Sequence, residues 1–172
     1  MSVFENHDSE SLIGTTIDGR YEIESEQSRS SSSKSFVAND QRSGSQVILR
    51  LFSAEATAQY GAELLAEAIE VSEISHPHIV RLTNSGRTKV NDTERVFTVQ
   101  ERLTGGSLQD MIDRNRLLTP SQALVVGLEV CRALDYAHKR GMSHHDLRPS
   151  SILVGEDRKV RVADFGVSSV IA

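Results

Sequence analysis

The chain has 172 residues, of which 38% are hydrophobic and 25% charged, and its formal net charge is −5. This composition is typical of a soluble globular protein, and the negative charge argues against binding to nucleic acid or membrane surfaces through bulk electrostatics. The single cysteine, Cys131, excludes an intrachain disulfide and fits a cytoplasmic protein, and no apolar stretch is long enough to form a membrane segment.

The first half of the sequence predicts a sheet that is interrupted by one helix. Residues 1–20 are acidic, lack the apolar core of a signal peptide and are expected to form a flexible leader. Apolar runs between turn residues predict five strands, at residues 21–25, 36–40, 45–52, 82–89 and 95–101. Helical spacing predicts a helix over 55–75 that ends before Pro77. Its inward face is expected to carry Leu64, Ala68, Val71 and Ile74.

The second half predicts two helices and a small hairpin. Ser107 follows a Gly-Gly turn and is a suitable N-cap for a short helix. A longer helix is expected over 121–140, ended by Gly141. Its inward face is expected to carry Leu124, Leu128, Cys131, Leu134 and Ala137. Two short strands then flank the turn "GEDRK", so the whole order predicts an α+β fold with two lobes.

Two short motifs lie on either side of that hairpin. "HHDLRPSSILV" spans 144–154 and "DFG" spans 164–166, and each is a weak signal alone. Together, a His-x-Asp after a long helix, a strand, a turn, a second strand and "ADFG" resemble the catalytic and metal-binding loops of protein kinases. The segments "VILR", "LLAEAIEVSEISHPHIVRL" and "VFTVQERLTGGSL" resemble the third strand, the αC helix and the hinge of that family.

The start "IDGRYEI" is similar to that of bacterial Ser/Thr kinase domains in particular. The resemblance covers residues 21–172 and implies an antiparallel five-stranded N-lobe sheet with the αC helix, over 21–103. It also implies the first part of a helical C-lobe, over 104–172. Since the sequence stops six residues after "DFG", the resemblance further implies that the activation segment and later helices are missing.

The serine run "SRSSSSKS" at 28–35 falls on the glycine-rich phosphate loop of the family. The three loop glycines fall on Ser28, Ser30 and Ser33. Glycine lets backbone amides approach phosphates, and a serine loop lacks this freedom. Two interpretations stay open: a flexible polar hairpin tip, or a phosphoacceptor cluster beside Arg29 and Lys34.

The remaining nucleotide-binding positions of the family are partly replaced. The third-strand lysine falls on Arg50, and the position of its αC partner falls on Glu67, with which Arg50 could still form an ion pair. The small alanine that leaves room for adenine falls on Ile48, whose branched side chain is expected to project into the purine slot. Glu101 and Leu103 occupy hinge positions.

The catalytic loop keeps its aspartate. Asp146 takes the position that accepts the substrate hydroxyl proton, Arg148 replaces the lysine two residues later, and His145 replaces the arginine before it. The metal-binding aspartate is retained as Asp164, whereas the metal-binding asparagine falls on Ser151, a poorer ligand for a hard cation.

These substitutions leave two function classes open. The first is a pseudokinase that binds a protein partner and needs neither ATP nor Mg²⁺. The second is a Ser/Thr kinase that uses ATP and Mg²⁺ and whose remaining C-lobe lies elsewhere. Self-association is also expected, because apolar side chains such as Leu128, Leu134 and Ile152 would face helices that the sequence lacks.

Overall fold

The computed structural model describes residues 12–166, which form a sheet-rich lobe followed by a helical lobe. The strands are Thr16–Ile17 (β1), Tyr21–Arg29 (β2), Ser33–Asp40 (β3), Ser45–Phe52 (β4), Leu82–Val90 (β5), Thr93–Glu101 (β6), Ile152–Val154 (β7) and Val160–Val162 (β8). The helices are Ala54–Ser72 (α1), Leu108–Asp113 (α2) and Pro120–His138 (α3), and Pro149–Ser151 form a 3₁₀ turn. The predicted α+β class is therefore confirmed. Within residues 12–166 no helix is both long and apolar enough to cross a membrane.

The large sheet has six antiparallel strands in the order β1-β2-β3-β4-β6-β5, one more than predicted. Successive side chains of a strand point to opposite faces. In β4, Val47, Leu49 and Leu51 belong to the buried cluster on one face of the sheet. Ile48 and Arg50 therefore point to the other face, toward the second lobe.

The sixth strand is β1, which lies within the predicted leader. β1 pairs with the start of β2, Ile17 is only 3% exposed, and Leu12 packs against the same buried cluster. The prediction of a flexible leader is thus wrong for residues 12–20, because Ile17 covers the open edge of the sheet. Strand signals are weak in a segment of two residues, which explains the error. The rest of the predicted leader lies outside the described residues.

α1 packs one face on the sheet, as its spacing predicts. Ser53 is the N-cap, and its hydroxyl accepts a hydrogen bond from the Ala56 amide. Leu64, Ala68 and Val71 are buried as expected. Ala68 and Val71 belong to the cluster that also includes residues from α3, β8 and the segment after it, so α1 connects the sheet with the helical lobe.

α3 buries a different face from the one expected. Val130, Ala133 and Ala137 are buried, and Leu134 packs against the same cluster. The inward prediction is wrong for three residues: Leu124 is 76% exposed, Leu128 is 52% exposed, and Cys131 is exposed. Small side chains allow the C-terminal half of α3 to approach β8. In its N-terminal half Val126 packs against the same cluster, whereas Leu124, Val125 and Leu128 are exposed.

A partly buried ion pair closes the base of the β2–β3 hairpin. Arg20 donates two hydrogen bonds of 2.7 Å to the carboxylate of Asp40, one from Nε and one from Nη2. The Arg42 amide and the Ser43 hydroxyl also donate to this carboxylate. The Arg20 guanidinium and these further donors hold the pKa of Asp40 well below its usual value.

We expect Asp40→Asn to lower the melting temperature by roughly 4 °C at neutral pH, because the variant loses a charge-assisted network. A carboxylate whose pKa is depressed by folding stabilises the protein above its unfolded pKa and loses that contribution as the pH falls. The difference between wild type and variant should therefore be constant above about pH 5 and shrink below about pH 4. Thermal unfolding across this range measures it. Asp135→Asn, in an exposed pair with Lys139, is the matched control, and equal effects of the two variants would contradict the account.

Candidate active site between the two lobes

A polar cleft of about 430 Å³ separates the β2–β3 hairpin from the loops of the helical lobe. Its lining contains eight serines, three arginines, two aspartates and one histidine, and no apolar residue. These residues are Ser28, Arg29, Ser30, Ser31, Ser32, Ser33, Ser35, Arg50, His145, Asp146, Arg148, Ser150, Ser151 and Asp164. The cleft thus brings together the serine run, the third-strand arginine and both motifs of the second lobe.

The serine run forms the end of the hairpin. Ser28 pairs with Ser35 and Arg29 with Lys34, so that only Ser30, Ser31 and Ser32 lie in the turn itself. The Ser30 hydroxyl accepts hydrogen bonds from the amides of Ser32, at 3.3 Å, and Ser33, at 3.1 Å. Two amides of the turn are therefore bonded internally and are not directed at a ligand.

Ile48 occupies the cleft face of β4 above this region. It is 7% exposed and lies opposite Val37 of β3 and Gln100 of β6. Because Ile48 and Arg50 are two residues apart on one strand, they lie on the same face. The branched side chain of Ile48 therefore lies on the cleft face of β4. Because Ile48 is buried, this side chain has little room to move.

The two hinge positions lie where β6 leaves the sheet. Glu101 is half-buried, and its Oε1 accepts a hydrogen bond of 2.8 Å from the Arg81 amide. Leu103 is also half-buried. Since the Glu101 side chain binds the backbone beside β5, it fastens the end of the sheet instead of facing the cleft.

Arg50 connects the two lobes. Its Nη2 donates a hydrogen bond of 2.7 Å to Oδ1 of Asp164, and its Nε lies 3.4 Å from the Ser35 hydroxyl. Both partners are largely covered, with side-chain exposures of 19% for Arg50 and 27% for Asp164. The Arg50–Glu67 ion pair suggested by the sequence is therefore wrong as to the partner, because the long guanidinium reaches across the cleft to Asp164. Glu67 instead lies beside Phe165 and Gly166.

The segment that carries Asp164 is fixed by buried neighbours. Phe165 is buried in the cluster that joins α1, α3 and β8. Asp164 and Gly166 have φ angles of 67° and 79°. A Cβ at Gly166 would lie 2.8 Å from Cγ2 of Val71, so only glycine fits there. These constraints hold the Asp164 carboxylate at the cleft.

His144, the histidine of the His-x-Asp motif, has a structural role that the sequence analysis did not assign. Its Nδ1 lies 3.3 Å from the Asp146 amide and accepts its proton, so that Nε2 carries the ring proton. Nε2 then donates a hydrogen bond of 2.7 Å to the Ala163 carbonyl, and the ring meets Phe165 edge-on at 4.8 Å. His144 thereby holds the Asp146 loop and the Asp164 loop together. The polar sequence "HHD" does not indicate that His144 is buried, and its burial is what signals this role.

The Asp146 loop is closed by its own arginine. The Arg148 guanidinium hydrogen-bonds the Asp146 carboxylate and thereby lowers the pKa of Asp146. Ser151 is buried, and its hydroxyl donates to the Arg148 carbonyl at 2.9 Å and accepts from the Arg148 amide at 3.2 Å. The Ser151 hydroxyl is therefore committed to the 3₁₀ turn and is not directed into the cleft.

Mg²⁺ is usually held by one or two carboxylates together with substrate phosphates, and here the carboxylates and the hydroxyl at the corresponding positions already have partners within the chain. Asp146 and Asp164 are each bonded to an arginine, and the Ser151 hydroxyl is used in a turn. Residues 12–166 contain no group of three His, Cys, Asp or Glu side chains that could hold a metal ion. The cleft is arranged for guanidinium–carboxylate contacts.

We predict that Arg50 and Asp164 are energetically coupled, by about 1 kcal/mol as expected for one partly buried ion pair. The test is a double-mutant cycle of Arg50→Gln and Asp164→Asn, read as the free energy of unfolding in urea. A parallel cycle of Arg50→Gln with Glu67→Gln is the control and should be additive. Additive effects in the first cycle, or stronger coupling in the second, would show that Arg50 pairs with a different carboxylate in solution.

A family model described as "Protein kinase domain" matches residues 21–172. Two bacterial kinases are among the curated relatives. A probable serine/threonine-protein kinase of Streptomyces coelicolor is 27% identical over 152 residues, which are 87% of this chain and 23% of that protein. A probable serine/threonine-protein kinase PknB of Bifidobacterium longum is 32% identical over 160 residues, 89% of this chain and 23% of that protein. The chain thus spans about a quarter of the length of these relatives.

Two solved structures have the same fold. The kinase domain of PknI from Mycobacterium tuberculosis has a TM-score of 0.76 at 24% identity, covering 91% of this chain and 62% of that one. Rad53 in complex with AMP-PNP has a TM-score of 0.73 at 23% identity, covering 85% of this chain and 38% of that one. At these identities the similarity shows the fold alone.

Proposed function

Because the chain belongs to the protein kinase domain family, we propose that this domain is a pseudokinase, which binds other proteins and does not transfer phosphate. The observation that carries the proposal is the 2.7 Å bond between Arg50 and Asp164. A guanidinium cation bound to Asp164 neutralises the carboxylate that would otherwise hold a metal ion. Arginine is always charged and cannot yield its place by losing a proton.

Three further features support the proposal. The Ser30 hydroxyl uses the turn amides that a phosphate would need. Ile48 is buried on the cleft face of β4, where the family leaves room for adenine. The Ser151 hydroxyl, at a proposed metal position, is bonded within its own turn. Phosphoryl transfer depends on positioning and charge stabilisation, and one such contact is worth about a hundredfold in rate.

The second candidate is a Ser/Thr kinase that uses ATP and Mg²⁺ and that draws its remaining parts from outside this chain. Asp146 and Asp164 line the same cleft, and His144 and Phe165 hold their loops in register. This arrangement is what favours the alternative. If the domain is a pseudokinase, the Arg50–Asp164 and Arg148–Asp146 pairs must persist in the presence of Mg-ATP. A cytoplasmic location stays a prediction under either candidate.

We predict that Mg-ATP does not stabilise the chain. Ligand at a hundred times its Kd would add about 2.7 kcal/mol to the free energy of unfolding, a shift of several degrees in melting temperature. Thermal unfolding with and without millimolar Mg-ATP measures the effect. The double variant Ile48→Ala with Arg50→Lys should restore only part of such binding, since the serine turn remains. A clear shift in the wild type that Asp164→Ala removes would contradict the proposal.

We also predict that the purified chain transfers no phosphate to protein substrates, because several positioning groups are replaced together. Incorporation of labelled phosphate into a generic substrate protein is the measurement, with Asp146→Asn as the matched variant. Transfer that disappears in Asp146→Asn would establish the kinase alternative. Transfer that persists in that variant would come from a contaminating enzyme.

The partner surface that we propose is the apolar N-terminal half of α3. Leu124, Val125 and Leu128 are exposed there, and contiguous apolar surface of this kind usually marks a protein interface. We expect the chain to self-associate through this face. Sedimentation over a dilution series should show an oligomer that Leu124→Gln with Leu128→Gln abolishes, whereas Ile69→Gln, at an exposed isoleucine of α1, leaves it intact. A strictly monomeric wild type would rule out self-association.

A further inference from the structure

We propose that Ser31 is a phosphorylation site, and that its phosphate bridges the serine turn to Arg148 on the opposite wall of the cleft. This inference rests on the proposed function in one respect only, namely that the phosphoryl group comes from another kinase. The geometry of the turn identifies the acceptor hydroxyl. The residues that line the cleft indicate what a phosphate on that hydroxyl would contact.

The turn distinguishes Ser31 from its neighbours. Ser30 uses its hydroxyl to bind the amides of Ser32 and Ser33. Ser32 is half-buried, its hydroxyl lies 3.5 Å from that of Ser30, and its backbone carbonyl accepts a hydrogen bond of 2.8 Å from the Ser53 amide. Ser31 lies exposed at the apex, and among the described residues none bonds to its hydroxyl. It is therefore the hydroxyl of the turn that is both accessible and uncommitted.

Cationic residues lie on both sides of this apex. Arg29 and Lys34 face each other across the last pair of the hairpin, at the base of the turn. Arg50, Arg148 and His145 line the same cleft as Ser31. A phosphoserine carries a charge of about −1.5 to −2 at neutral pH and three strong acceptor oxygens, and such a group favours guanidinium partners.

Arg148 is the residue best suited to accept the phosphate. It lies on the wall opposite the hairpin, its side chain is 60% exposed, and Asp146 uses only part of its guanidinium. A guanidinium has five N–H donors, so it can hold Asp146 and a phosphate together. The phosphate would link the sheet lobe to the Asp146 loop, at a second point beside the Arg50–Asp164 pair.

The reaction that installs this phosphate balances without other reagents. A Ser/Thr kinase acting in trans transfers the γ-phosphoryl group of ATP to the Ser31 oxygen. The bond between oxygen and phosphorus forms at Ser31 while the bond from that phosphorus to the β-phosphate oxygen breaks. ADP leaves, and the serine proton passes to the base of the acting kinase.

The acceptor is tested by incubating the full chain with Mg-ATP, alone and with purified kinase domains of the Bifidobacterium longum and Streptomyces coelicolor relatives. Mass spectrometry then locates the phosphate. We expect modification of Ser31 only when a kinase is added, with loss of the signal in Ser31→Ala and retention in Ser28→Ala. Absence of phosphate at Ser31, or an unchanged yield in Ser31→Ala, would overturn the assignment.

The same experiment separates this inference from the proposed function. Phosphate on Ser31 in the chain alone, lost in Asp146→Asn, would refute the pseudokinase proposal and leave the acceptor site intact. Failure of every added kinase to modify Ser31, with an inert chain, would refute the acceptor site and leave the pseudokinase proposal intact.

The bridge to Arg148 is tested by genetically encoded phosphoserine at position 31, with phosphoserine at Ser45 as the control. Ser45 is exposed and lies at the opposite end of the β3–β4 pair. We expect the melting temperature to rise by about 3 °C for position 31 and not to rise for position 45, since Ser45 pairs with the carboxylate-bearing Asp40. The rise should vanish in Arg148→Gln and in about 1 M NaCl, where ion pairs are screened. No rise, or a rise that survives Arg148→Gln, would overturn the bridge.

Discussion

The ion pair between Arg50 and Asp164 joins the central strand of the sheet to the loop after β8, two segments that are 114 residues apart in sequence. The pair joins a charged side chain of the sheet lobe to a charged side chain of the helical lobe. Both side chains are largely removed from water. Removing either partner would leave the other charge partly buried, which is costly. The contact spans the cleft that the serine turn and the Asp146 loop line, and it acts beside the buried cluster that joins α1 to α3 and β8.

The other substitutions are consistent with that pair. If an arginine neutralises Asp164 as we propose, the turn needs no amides directed at phosphates, and the Ser30 hydroxyl binds the amides of Ser32 and Ser33 within the hairpin. Ser151 can likewise serve its own backbone. The residues that are retained, His144 and Phe165, hold the loops in place and are buried. The buried residues that support the loops are thus kept, and on the proposed function the changes fall at the positions that would contact a nucleotide.

Most of the fold could be predicted from the sequence, because strand alternation and helical spacing are patterns among residues that lie close together in the sequence. β1 could not, since two residues carry no periodicity and Ile17 is recognisable only by what it covers. The exposed face of α3 was assigned inward because Leu124 and Leu128 are apolar, yet burial depends on which elements pack there. In the cleft, sequence located Arg50 but not its partner, because two carboxylates, of Glu67 and Asp164, were within reach of a long side chain.

The central claim is that arginine, and not a metal ion, satisfies Asp164. Paramagnetic Mn²⁺ tests it most directly, since it takes the place of Mg²⁺ and broadens the amide signals of residues near a bound ion. In a titration of the isotope-labelled chain with Mn²⁺ and ATP, followed by NMR, the account predicts no selective broadening at residues 145–151 and 164. Arg50→Gln should make these signals more sensitive to Mn²⁺. Selective broadening at Asp164 in the wild type would show that the metal displaces the arginine, and would contradict the account.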